Sequence, residues 1–130
     1  MKTNIALLIE QSVNVIDSLN KGLRLTHKEQ QFFCEHFERE EIKKNEFTIR
    51  IGDYEKYLYF IESGILRYWT AQEYGDPDKE VTFWFSFPGE FANSYFSLKE
   101  NQPSLIHIQA LTDCVIWKLS KQDLADLYQT

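Results

Sequence analysis

Ile5, Leu8, Ile9, Val13, Ile16 and Leu19 recur at steps of three and four, the spacing that gathers side chains on one face of an α-helix. Gly22 stands where that helix would stop. Thr26 and Glu29 then form a capping box, in which the threonine hydroxyl accepts the Glu29 amide and the glutamate reaches back. The pattern predicts a second helix to about Phe37, with Phe33 and Phe37 on a common face.

From Glu41 the period changes. EIKKNEFTIRIGD, EKYLYFIESGILRYW, KEVTFWFSF and SLIHIQALTDCVIWKLS are rich in β-branched and aromatic residues and are punctuated by Asn45, Gly52, Gly64, Gly75, Pro77 and Gly89. This predicts short strands joined by turns. Gly64 in ESGIL and Asn45 in KKNEF sit where a hairpin needs positive φ. SKQDLADLYQ starts a further helix, N-capped by Ser120. The expected architecture is a mainly β sandwich or roll closed at one end by N-terminal helices. Its parts are a helical lead-in over 1–39, a β-roll over 40–119 and the start of a C-terminal helix over 120–130.

With 130 residues, 43% of them apolar and 15% aromatic, the chain suffices for one domain with a packed core. A formal charge of −6 argues against direct contact with a nucleic-acid backbone or an anionic membrane. Glu10 and Asp17 interrupt the N-terminal apolar residues, so neither a signal peptide nor a membrane span fits. Cys34 and Cys114 have no partner at metal-ligand spacing and read as buried thiols in a reducing, cytoplasmic setting.

Taken in order, the Gly52–Asp53 turn, the Leu58–Ile61 strand, the Ser63–Gly64 turn, FPGEF and Ala110–Cys114 resemble the cyclic-nucleotide-binding domain of Crp/Fnr-type transcription regulators, over about Phe37 to Leu127. The resemblance implies a double-stranded β-roll of jelly-roll type and a ligand-sensing role. It also implies a long dimerisation helix and a DNA-binding domain, which do not fit in the residues after Leu119. DNA would be reached only through a domain that this chain does not contain, and a homodimer would be built mostly by the missing helix.

The same resemblance implies a phosphate-binding cassette. A buried phosphodiester needs a fixed cation and aimed N–H donors to offset its lost hydration, and arginine is the usual supplier. Counting back from ALTDC, taken as an ungapped strand, puts the family's Gly-Glu pair on Asn93 and Ser94, its Arg on Ser104 and its Ala on Ile106. All four differ. Gly89–Glu90 belongs to the turn before the cassette. Between Pro88 and Ser104 the only basic residue is Lys99, beside Glu90 and Glu100. Cyclic AMP or cyclic GMP is therefore not expected in the usual mode. The ligand-site candidates are Asn93, Ser94, Tyr95 and Ser104 as neutral hydrogen-bonding groups, and Arg67, whose alternation with Ile65 and Trp69 suggests that it points into the roll.

A cupin-like metal enzyme needs converging histidines, whereas His27 and His36 lie more than two helical turns apart and His107 is alone on a strand. No metal, nucleophilic triad or catalytic residue is expected. Val81, Phe83, Phe85 and Phe87 alternate onto one face of their strand, leaving Trp84 beside Thr82 and Ser86 as a candidate partner contact. The expected function is a non-catalytic sensor of an unidentified small-molecule effector, or of none. A stand-alone protein-interaction module of the same fold is the alternative.

Overall fold

The computed structural model describes residues 35–72, 75–76 and 78–129. The first expected helix, the capping box at Thr26 and Cys34 lie outside the described residues. Of the second helix, Glu35 and His36 are described and are helical.

Eight strands follow: β1 (Glu38–Ile42), β2 (Phe47–Ile49), β3 (Tyr57–Ser63), β4 (Leu66–Ala71), β5 (Glu80–Ser86), β6 (Phe91–Ala92), β7 (His107–Ala110) and β8 (Cys114–Ser120). Two helices punctuate them, α1 (Tyr95–Glu100) between β6 and β7 and α2 (Lys121–Gln129) after β8. The strands form two four-stranded antiparallel sheets, ordered β1-β8-β3-β6 and β2-β7-β4-β5. Sequence neighbours thus mostly lie in opposite sheets, the winding of a jelly roll.

Alternation along the strands explains why the roll closes. Ile42, Ile49, Tyr59, Ile61, Leu66, Tyr68, Ile108, Ala110 and Ile116 point between the sheets and form one buried cluster. Apolar surface removed from water contributes roughly 25 cal/mol per Å². Phe60, Trp117 and Leu119 are buried as well, so β3 and β8, the central strands of the first sheet, read as nearly continuous apolar runs, as doubly covered strands do.

The turns have the predicted chemistry. Asn45 adopts φ 76° and Gly64 φ 89°. A Cβ on Gly64 would lie 2.5 Å from the Asp113 carbonyl oxygen and 2.5 Å from Cys114 Sγ, so the β3–β4 hairpin needs glycine twice over, for its backbone and for the close approach of β8. Cys114 is a buried free thiol there, and burial raises its pKa, which makes it a packing residue rather than a nucleophile. Ser120 caps α2 as expected, its hydroxyl accepting the Asp123 amide at 3.0 Å.

Two expectations need correction. ALTDC is not one strand: β7 ends at Ala110, Leu111–Asp113 turn, and β8 begins at Cys114. The Asp113 carboxylate stabilises that turn by accepting the Lys44 amide at 2.8 Å. On β5 the simple alternation breaks, because Tyr68 pairs with Trp84 while Trp69 pairs with Thr82, a bulge at Phe83. The strand is also an edge of its sheet. Val81, Phe83, Phe85 and Phe87 are therefore exposed along with Trp84, which is 63% accessible.

Gly64→Ala should destabilise the domain by at least about 2 kcal/mol, against about 1 kcal/mol for Gly52→Ala, which keeps the positive-φ strain without the collision. Urea unfolding of the two variants beside the wild type measures the difference.

Candidate functional site

Between β5 and β7, the stretch that the resemblance reads as a cassette runs through a turn at Pro88–Gly89, the short strand Phe91–Ala92, the helix α1 and a loop back to β7. Ser94 is the residue before α1, and its carbonyl accepts the Leu98 amide at 2.9 Å. Asn101 closes the helix in the left-handed region at φ 54°.

Ser94, Ser97 and Ser104 are buried side by side with the core. The Ser94 and Ser104 hydroxyls are 2.8 Å apart. Ser104 Oγ also donates to the Ile106 carbonyl at 2.8 Å. A hydroxyl has one hydrogen, so Ser104 must accept from Ser94. Both hydroxyl hydrogens are thereby committed inside the protein. The backbone of Ser104 is fixed just as firmly, its carbonyl accepting the Gly52 amide at 2.9 Å and its amide donating to the Asp53 carbonyl at 2.7 Å.

Facing these serines is a residue that the sequence reading did not single out. Glu55 is 3% exposed. Its Oε2 accepts the Ser94 amide at 2.9 Å, its Oε1 accepts the Tyr57 amide at 3.4 Å, and its own amide donates to Ser97 Oγ at 2.8 Å. Burial pushes the carboxyl up to about 7, with the Ser94, Tyr57 and Lys56 amides pulling the other way. No ion pair joins it among the described residues. Two buried phenols sense it: Tyr59 and Tyr68 are both raised, chiefly by burial, with the Glu55 charge adding to the effect. Glu55 also borders a cleft of about 390 Å³ lined by Ile49, Asp53, Tyr54, Tyr57 and Tyr59 among others.

The remaining sequence candidates divide. Asn93 is half-buried directly before Ser94, whereas Tyr95 is 65% exposed and its ring lies 5.6 Å from the Lys99 ammonium. Arg67 does not point into the roll. Leu66 and Tyr68 take the inner face of β4, so Arg67 falls on the outer face, where it bonds Glu80 and Gln109, each at 2.8 Å, and lies over Trp69. The alternation was right and the assignment of faces was inverted. His107 lies on that outer face too, its Nδ1 accepting the Ile51 amide at 3.1 Å, its ring 4.3 Å from Trp69. Burial, then the Arg50 charge, lowers its pKa. Among the described residues no three His, Cys, Asp or Glu side chains gather as a metal site. No described helix is long and apolar enough to cross a membrane.

A sequence family described as the cyclic nucleotide-binding domain matches residues 39–130. The chain belongs to that family. Solved structures share its fold. Cyclic AMP-bound PfPKA-R (residues 141–441) superposes with a TM-score of 0.79 at 21% identity, covering 94% of this chain and 41% of that one. The Thermus thermophilus catabolite activator protein gives 0.68 at 23% identity, covering 81% and 47%. The regulatory subunit of a cAMP-independent protein kinase A from Trypanosoma cruzi, bound to guanosine, gives 0.70 at 18% identity, covering 94% and 43%. The chain thus spans less than half the length of each. No curated protein matches it by sequence.

Within this cyclic nucleotide-binding domain the Glu55 carboxyl has a folded pKa of about 7 against an ordinary 4.5. Its stabilising contribution is complete below the unfolded value and is lost as pH rises through the folded one. Raising the pH from about 6 to about 8 should cost the wild type about 1 kcal/mol through this group. Glu55→Gln should remove that loss, read as the difference between the two proteins' urea midpoints across the interval.

Proposed function

We propose that this domain is the effector-sensing part of a Crp/Fnr-type transcription regulator and that its cassette does not receive a cyclic nucleotide in the usual mode. One observation carries the reading: where a phosphate would need cations and free donors, the cassette presents two serines hydrogen-bonded to each other, and the Glu55 carboxyl from the segment before β3 is buried against it. In its ionised form Glu55 repels a second anion held in the same dry site. The only basic residue of the segment, Lys99, is exposed.

An uncharged effector is compatible with this chemistry. Guanosine, held by the Trypanosoma cruzi regulatory subunit, has no phosphate, which illustrates that the fold does not require one. In this reading the domain is non-catalytic and acts in the cytoplasm, and it reaches DNA through a further domain entered by the helix that begins at Lys121. A second reading, a protein-interaction module, is favoured by the exposed aromatic edge of β5.

Isothermal titration of the protein with cyclic AMP tests the first reading. The expected result is no saturable binding below about 1 mM, and micromolar affinity would refute it. A thermal-shift screen of nucleosides and small amines separates the two readings, because a ligand of the folded state raises its melting point by mass action. A saturable rise belongs to a sensor and a flat screen to the interaction module.

A further inference from the structure

Glu55 is an unusual occupant for the interior. Carboxyl groups are rarely buried without a cationic partner, and among the described residues this one instead accepts the Ser94 and Tyr57 amides, while its own amide donates to the Ser97 hydroxyl. It sits at the junction of two segments far apart in sequence, 39 positions from Ser94 and 42 from Ser97. The groups facing it from neighbouring elements are the Tyr59 phenol on β3, the Tyr68 phenol on β4 and the serines flanking and opening α1.

We propose that Glu55 sets the ligand class of the cassette: its carboxylate is a built-in acceptor for the Ser94 amide, so anions are excluded and a ligand must meet Glu55 with a hydrogen-bond donor, uncharged or cationic. This rests on the sensor reading above and gives it a residue. The cleft beside Glu55 lies outside the cassette serines and gives such a ligand the aromatic surface of Tyr54, Tyr57 and Tyr59, with Asp53 and Lys56 both on its wall. Tyrosine faces attract cations, and a carboxylate accepts a donor from a neutral alcohol or amide and, more strongly, from an ammonium. The proposal also explains why the missing arginine is tolerated. With the chain's own carboxylate already there, a guanidinium is not needed to hold a foreign one.

Truncation with chemical replacement tests this directly. Glu55→Ala (E55A) exposes the Ser94 amide to an emptied anion position, and sodium acetate should refill it. Acetate, compared with sodium chloride at equal ionic strength, should raise the E55A melting point saturably by about 4 °C. The same salt should move wild type and E55Q by less than about 1 °C. An E55A melting point that ignores acetate, or a wild type that responds equally, overturns the proposal. If E55A does not fold, the Ser94 amide resonance decides: it should titrate with pH in the wild type and not in E55Q, and a wild-type resonance that is flat overturns the placement of Glu55. Cyclic AMP is run alongside. If it stabilises the wild type, the sensor reading falls together with anion exclusion, whereas acetate-insensitive E55A with no cyclic AMP response removes Glu55's role and leaves that reading standing.

Discussion

The cassette region depends on one contact, the buried Glu55 carboxylate against the Ser94 amide. Around it the segment from Gly52 to Tyr57 and the segment from Ser94 to Ser104 are held by reciprocal bonds: Glu55 to Ser97, and Gly52 and Asp53 to the two backbone groups of Ser104. Removing a carboxylate from water is costly, and the burial that makes it costly also strengthens each hydrogen bond it accepts. The raised pKa records that the cost is only partly offset. Among the described residues no guanidinium stands beside it to offset the rest.

Much of the fold was written in the chain at short range. Period-two alternation with turn residues predicted the strands. Asn45 and Gly64 took the positive φ that their hairpins require, and Ser120 capped the last helix. The order of these parts led to the right family. What depended on a second strand was less legible. Nothing in β4 alone tells which of its two faces is the interior, so Arg67 was assigned to the wrong one. The bulge at Phe83 is a property of the β4–β5 register, and ALTDC conceals a turn fixed by a residue 69 positions away.

The site divides along the same line. Ser94 and Ser104 could be found by counting along the cassette, because that spacing is local. Glu55 could not. In the sequence it lies in an acid- and lysine-bearing turn, DYEK, whose other members Asp53, Tyr54 and Lys56 are exposed, so composition assigns it to solvent. Its burial comes from partners about 40 residues downstream. The available signal is chemical: a cassette without a cation invites a search for what satisfies its amides.

In the proposed sensor reading a bound state must be passed onward, and the contacts converge on the start of α2. The Lys121 amide donates to the Lys56 carbonyl at 2.8 Å, one residue beyond Glu55. The Lys121 ammonium reaches the Asn101 side-chain oxygen at 3.4 Å, at the closing end of α1. The first residue of α2 is thus tied both to the segment that carries the buried carboxylate and to the helix opened by that carboxylate's partner. Spatial connection alone does not make a relay. A switch would require two arrangements of α2 between which a ligand chooses.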